Sequence, residues 1–238
     1  MSKIAWEKWE SVGVITMNDG ENRHNPDFVR EILSAFDDIE KDPGISAVVL
    51  SSSDPKNWSL GIDLQWISGA MAANDLPGIR TFMYGLNRIF TRILMYPMPV
   101  IASINGHAFG DGTIIACACD FRFMKADRGF FCFPEVDINI PFLPGMLAII
   151  KKAVPYYKLE ELVFTGKKTG AAELAAHHVI VKACPDAETL FQESLSFAQT
   201  FNKKRPVFGE MKKRLHAAII ETMEKEDPAY IEPLQLML

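Results

Sequence analysis

The sequence predicts an α/β fold on three observations. Short β-branched or apolar runs alternate with segments of helical period, breaks rich in glycine, proline, aspartate and asparagine separate them, and 48% of the 238 residues are hydrophobic, enough for one substantial core. The pattern is set early: residues 12–17, VGVITM, read as a buried strand closed by the turn Asn18, Asp19, Gly20. After the polar residues 21–24, Asn25 is placed to cap a helix with Pro26 at its first position, and Phe28, Val29, Ile32, Leu33, Phe36 and Ile39 follow at helical spacing. Asp42, Pro43 and Gly44 end that helix, and residues 46–51 form the next buried strand. The loop after it, SSDPKNWSLGIDL, is long enough to carry function.

Residues 71–96 hold apolar positions at helical spacing (Phe82, Leu86, Ile89, Phe90, Ile93, Leu94) interrupted near Pro77 and Gly78, which predicts one short and one long helix, ended by Pro97 and Pro99. A strand over 99–104 then stops at Asn105 and Gly106, and the turn Gly110, Asp111, Gly112 opens the apolar run 113–119 as a buried helix start. Short strands are predicted at 121–124 and 129–133, helices at 147–154 and 159–164 on either side of Pro155, a helix at 171–177, a strand at 179–184, and terminal helices at 187–201 and 208–225.

A net charge of -5 with pI near 5.6, and no Lys/Arg cluster beyond pairs such as Lys151, Lys152 and Lys203, Lys204, argues against nucleic acid as the main partner. Cys117, Cys119, Cys132 and Cys184 show no disulfide framework and suit a reducing compartment. Cys117 and Cys119 face different sides of a helix, so no metal site is expected there, and adjacent His177 and His178 cannot share one either. His107 is expected to be a hydrogen-bonded core residue. With no signal pattern and no bilayer-length apolar run, a soluble cytoplasmic protein without membrane contact is expected.

The chemical centre is the glycine turn. The first N–H groups of the helix it opens have no intrahelical partner and stand at a positive dipole end, where a developing oxyanion would be stabilised. That stretch, INGHAFGDGTIIACACD at 104–120, followed by FRFMKA and then Phe133, Pro134, Glu135, resembles the crotonase (enoyl-CoA hydratase/isomerase) superfamily. WSLGIDL at 58–64 and TGKKTGAAELAAHHVIV at 165–181 are similar to two further segments of that family, in the same order along the chain.

The resemblance implies a ββα superhelical spiral over residues 1–185 and a C-terminal helical trimerisation region over 186–238, in a homotrimer or dimer of trimers, with residues 208–223 and the apolar ending 231–238 as assembly surface. It also implies an acyl-CoA thioester as substrate, with CoA belonging to the substrate and no separate cofactor. The thioester oxygen would accept the backbone N–H groups of Ile62 and Asp111. A carboxylate at Asp111 would repel an enolate where the family has Gly or Ala, so its side chain is expected to turn away and serve the helix N-terminus.

Of the two glutamates that hydratases of this superfamily use, the first position holds Ile114 and the second is kept as Glu135. One carboxylate suits a 1,3-proton shuttle, so a Δ3,Δ2-enoyl-CoA isomerase is expected. The alternatives are a hydratase with Asp111 as second acid, another enolate chemistry, and a non-catalytic acyl-CoA binder. Phe130, Phe131, Phe133, Val136, Ile138 and Phe142 are expected to enclose Glu135 and raise its basicity, with Asp137 on the opposite face of an extended segment. Ser59 and Leu60 are assigned to the adenine of CoA, Lys56 and Arg23 to its phosphates, and Trp58, Leu64, Trp66, Phe109, Phe133, Phe142 and Leu143 to the acyl pocket.

Overall fold

The computed structural model describes residues 3–236. Strands β1 (Ile4–Trp9) and β2 (Val12–Met17) form an antiparallel hairpin, and β1 was not expected because only Ile4 of its residues is buried. Helix α1 (Pro26–Lys41) begins as the sequence predicts: the Asn25 side chain accepts the Asp27 and Phe28 amides, with Pro26 in the first turn. Strands β3 (Ala47–Ser52) and β4 (Asn57–Ser59) lead to α2 (Leu64–Ala72), capped by Asp63, and α3 (Leu76–Leu94), capped by Asp75. Pro77 therefore opens α3 rather than splitting a helix, since a missing N–H is harmless in a first turn.

The central unit follows as β5 (Val100–Ile104), β6 (His107–Phe109), α4 (Asp111–Ala118) and β7 (Phe121–Lys125). The strand predicted over 129–133 contracts to the two-residue β8 (Phe131–Cys132), followed by a 3₁₀ turn at Pro134–Val136. Helices α5 (Pro144–Ala153), α6 (Tyr156–Thr165) and α7 (Ala171–Ala176), strand β9 (Lys182–Cys184), and helices α8 (Ala187–Gln199), α9 (Arg205–Lys225) and α10 (Pro228–Ile231) complete the described chain.

Strands β1, β2, β3, β5, β7 and β9 lie side by side in one sheet, parallel except for the β1–β2 pair, and β4, β6 and β8 make a small parallel sheet of their own. Each central turn of the chain thus places one strand in each sheet before a helix. This repetition is why strands separated by dozens of residues become neighbours. Buried on both faces, β2, β3 and β5 are nearly continuous apolar runs, as a helix-covered parallel sheet requires.

One face of the large sheet, with the helices α1, α3, α4 and α5, encloses the main core around Phe36, Phe90, Ile15 and Met124. The other face carries Val12, Val14, Val49, Ile101 and Phe123, which pack against Leu190, Leu195 and Ala198 of α8. Helix α8 is therefore a cover of the sheet itself. The apolar ending is also used within the chain: Ile231 is fully buried, and Leu234 and Leu236 pack against the main core. This corrects its assignment as assembly surface up to residue 236; residues 237 and 238 lie outside the described residues. Val207, Met211 and Leu215 of α9 remain exposed. Among the described residues no helix is long and apolar enough to cross a membrane.

Candidate active site

Two loops interlock through glycines. Gly61, at φ +74°, lies so close to the glycine turn that a Cβ there would fall 2.7 Å from the Phe109 carbonyl oxygen and 2.9 Å from the Asp111 amide nitrogen. Gly112 answers from the other side, since its Cβ would meet the Ser59 carbonyl oxygen at 2.5 Å. No side chain fits at either position, so the β4–α2 loop and the start of α4 approach backbone to backbone. Ile62 and Asp111 come to line one cavity of about 300 Å³, and among the described residues neither amide has a hydrogen-bond acceptor.

Glu135 enters the same cavity from the 3₁₀ turn. Pro134 starts that turn, which corrects the extended geometry expected here. Asp137 is directed to the far side by the turn and not by a pleat, and a Cβ on Gly166, between α6 and α7, would lie 2.3 Å from its Oδ2. Glu135 is 8% exposed, Oε2 is buried without a partner, and Oε1 faces Gly110. Burial pushes its carboxyl up to about 8; its own backbone N–H works against the shift and the nearby Asp111 adds to it. The enclosing apolar groups are those expected only in part. Phe130 and Val136 are exposed and Phe131 and Phe133 are buried core, whereas Ile138 and Phe142 line the cavity with Glu135, joined by Ile114 and Leu143.

The Asp111 side chain does not serve the helix N-terminus as expected but meets a partner the sequence reading missed. Its Oδ2 lies 2.6 Å from Nδ1 of His24, and His24 Nε2 lies 2.8 Å from Oγ of Ser59. His24 is fully buried and stacks on Phe28 at 4.1 Å between ring centroids. The Ser59 Oγ donates to the Asn22 carbonyl at 2.9 Å and accepts the Gly61 N–H at 3.1 Å. A parallel bridge between His24 and Ile62 ties this cluster to the first loop. Eighty-seven residues separate His24 from Asp111, and a single histidine before an N-cap carries no periodic signal; only its place in a polar stretch beside Asn25 was available.

Other assignments divide. Leu60, Leu64, Phe109, Phe142 and Leu143 line the cavity, as does Arg23, whose Nη1 donates to the Leu60 carbonyl at 3.0 Å. Ser59 is sealed from any nucleotide by complete burial, which corrects its assignment to CoA. Trp58 is fully buried, Trp66 packs edge-on against Phe82 at 5.0 Å, and Phe133 sits between Phe131 and Phe142; none of the three lines the cavity, because core packing claims large rings first. Lys56 does not line it either. It lies with Arg128 and Lys168 near His107, whose pKa is lowered first by burial and then by these cations. His107 is not the hydrogen-bonded core residue expected: its ring stacks on Phe130 and its buried Nδ1 has no partner.

Met83 of α3 and Leu236 of the chain ending add to the wall, and neither was identified from sequence. The four cysteines are free and buried. Among the described residues no group of three or more His, Cys, Asp or Glu could hold a metal ion.

Comparison with known proteins gives the family and the fold. The family described as Enoyl-CoA hydratase/isomerase matches residues 7–232. A putative enoyl-CoA hydratase of Thermus thermophilus is 30% identical over 87% of this chain and 81% of its own. Enoyl-CoA delta isomerase 3 of Arabidopsis thaliana is 26% identical over 92% and 94%. The crystal structure of a probable enoyl-CoA hydratase from Mycobacterium tuberculosis superimposes with a TM-score of 0.88 at 19% identity, covering 98% of this chain and 97% of that one.

Proposed function

Given that this chain belongs to the enoyl-CoA hydratase/isomerase family and has the crotonase fold, we propose that it converts a 3-enoyl-CoA to the conjugated 2-enoyl-CoA through a thioester enolate. The observation that carries the reading is the Glu135 carboxyl on an apolar cavity wall shared with the Ile62 and Asp111 amides, which have no acceptor among the described residues, while the Asp111 carboxyl is engaged by His24 and Ile114 fills the place of a second acid.

The thioester oxygen would accept the Ile62 and Asp111 N–H groups. Charge builds on that oxygen as a C2 proton leaves, and each preorganised donor in a site shielded from water is worth roughly 3 kcal/mol. Glu135 takes the C2 proton, the double bond shifts, and the same carboxyl returns the proton at C4. The sum is redox-neutral and needs no cofactor beyond the CoA of the substrate. A raised pKa suits the carboxylate to removing a weakly acidic carbon proton. Ile114 offers no lone pair to activate water, which supports isomerisation over hydration.

Arg23 at the cavity edge supports phosphate contact, and the exposed Val207, Met211 and Leu215 support assembly into a trimer. Four free, buried cysteines support a cytoplasmic setting.

The test is the purified protein with 3-hexenoyl-CoA, following formation of the conjugated thioester, beside crotonyl-CoA as the hydration control. Isomerisation should dominate, and Glu135→Gln should remove it while acyl-CoA binding persists. Crotonyl-CoA hydration faster than hexenoyl isomerisation, or full activity in the Gln variant, would overturn the proposal.

A further inference from the structure

Asp111, His24 and Ser59 are joined in the order of a hydrolytic triad, yet the hydrogen bonds exclude a serine nucleophile. Ser59 is fully buried, and its single hydroxyl proton is directed to the Asn22 carbonyl, a group that can only accept. Both remaining positions on Oγ are filled, one by the Gly61 N–H and one by His24 Nε2. Because Ser59 has no second proton to give, Nε2 must carry one and donate it.

That settles the other end of the ring. With Nε2–H in place, a close contact of 2.6 Å between Nδ1 and Asp111 Oδ2 requires one further proton between them, whether it sits on nitrogen or on oxygen. Either way His24 and Asp111 together carry no net charge. We propose that His24 is a positioning residue that neutralises Asp111, so that an acidic side chain can stand on the residue whose own amide supports the enolate. The inference rests on the enolate reading above. Without His24, a buried carboxylate would lie beside the enolate oxygen and close to Glu135, which lines the same cavity.

The arrangement also aims the amide. Asp111 Oδ2 is drawn toward His24, His24 is bridged to Ile62, and the Ser59 hydroxyl holds Gly61, so one buried cluster ties both donor loops. Asp111 Oδ1 is left buried without a partner.

The experiment is a rescue cycle on the full chain, read as kcat and KM for 3-hexenoyl-CoA. His24→Gln leaves an uncompensated carboxylate and should lower kcat about 100-fold with little change in KM. Asp111→Asn should lower it only about fivefold, because its side-chain NH₂ can donate to Nδ1 while Nε2–H still serves Ser59. Adding Asp111→Asn to His24→Gln should recover at least about tenfold. A double variant no better than His24→Gln, or an Asp111→Asn enzyme as impaired as Glu135→Gln, would overturn the proposal. The second result would make Asp111 an acid or base in its own right.

Should His24→Gln fail to fold, nitrogen-15 NMR of the wild-type imidazole ring decides independently of turnover. A protonated Nε2 with a strongly deshielded proton at Nδ1 is expected, and an Nε2 without a proton would refute it. That readout also separates this proposal from the enolate reading, which stands or falls on the hexenoyl assay.

Discussion

The two ends of α4 are treated in opposite ways. At its N-terminal end, among the described residues, the Asp111 amide has no acceptor and Asp111 Oδ1 and Glu135 Oε2 have no donor, and all three lie at one cavity. At its C-terminal end the carbonyls are bonded several times over: Lys152 Nζ donates to those of Cys117, Ala118 and Cys119, and Arg122 Nη1 to those of Ala116 and Cys119. Lys212 closes the same region by pairing with Asp120 at 2.7 Å. Cations there suit the negative end of the helix dipole. Unmet hydrogen-bonding capacity costs stability, and at this end of α4 it lies on a cavity where a bound molecule can supply the missing partners. One end keeps open hydrogen-bonding positions at a cavity, and the other is tied down by cations.

Changes at the N-terminal end should therefore cost rate, and changes at the C-terminal end should cost stability. Glu135→Gln gives the largest effect, a fall in kcat of roughly 1000-fold or more in the hexenoyl assay. The same substitution should stabilise the protein in alkali. The folded carboxyl titrates near 8 and the unfolded one near its ordinary 4.5, so the wild type loses stability as pH rises across that window. Chemical denaturation at pH 9 should show the Gln variant ahead by up to about 4 kcal/mol, and equal stabilities would mean that the carboxyl is not buried as described.

Gly61→Ala comes next. Its Cβ would collide with the Phe109 carbonyl and the Asp111 amide at a left-handed φ, so the donor pair should be prised apart and kcat should fall about 100-fold. At the other end, Arg122→Ala removes donors to three backbone carbonyls, including that of Val179, and should cost about 3 kcal/mol in a denaturant titration. The enzyme that remains folded should keep its kcat within a few-fold; a large loss of rate would show that the two ends are not independent.

Smaller effects follow pH. For wild type, kcat/KM should rise with pH and level off above about 8 as Glu135 becomes a base; a flat profile would place the base elsewhere. His216, near the well-bonded end, is held down to about 4 by burial and then by Lys152. Its unfolded form takes a proton first, so stability should fall as pH drops from 6.5 toward 4. The loss should be on the order of 1 kcal/mol and absent in His216→Gln; an unchanged slope in that variant would remove His216 from the account.

Much of this contrast was open to sequence reading at one end only. The N-terminal end of α4 is announced by Gly110 and Gly112, because glycine acts on the backbone within a few residues, and the catalytic candidate Glu135 was reached through the family resemblance of the Pro134, Glu135 segment. The C-terminal end gave no comparable sign. Arg122, Lys152 and Lys212 are scattered over ninety residues, and as letters they look like any surface cations. Aromatic residues misled for a related reason. Trp58, Trp66 and Phe133 neighbour site residues along the chain but pack into the core, while Met83 and Leu236 reach the cavity from distant helices and the chain ending.

The buried strands around 12–17 and 46–51, the helix that Asn25 caps and Pro26 starts, and the glycine turn before α4 were legible in the sequence alone, since each follows from conformational preferences of adjacent residues; the donors Ile62 and Asp111 came from the family resemblance. The tertiary structure alone decided that His24 meets Asp111, that Ser59 is sealed, and that Glu135 sits in a 3₁₀ turn with its carboxyl desolvated. Charge neutralisation and desolvation depend on which groups occupy the space around an atom, and that space is filled by segments far apart in the chain.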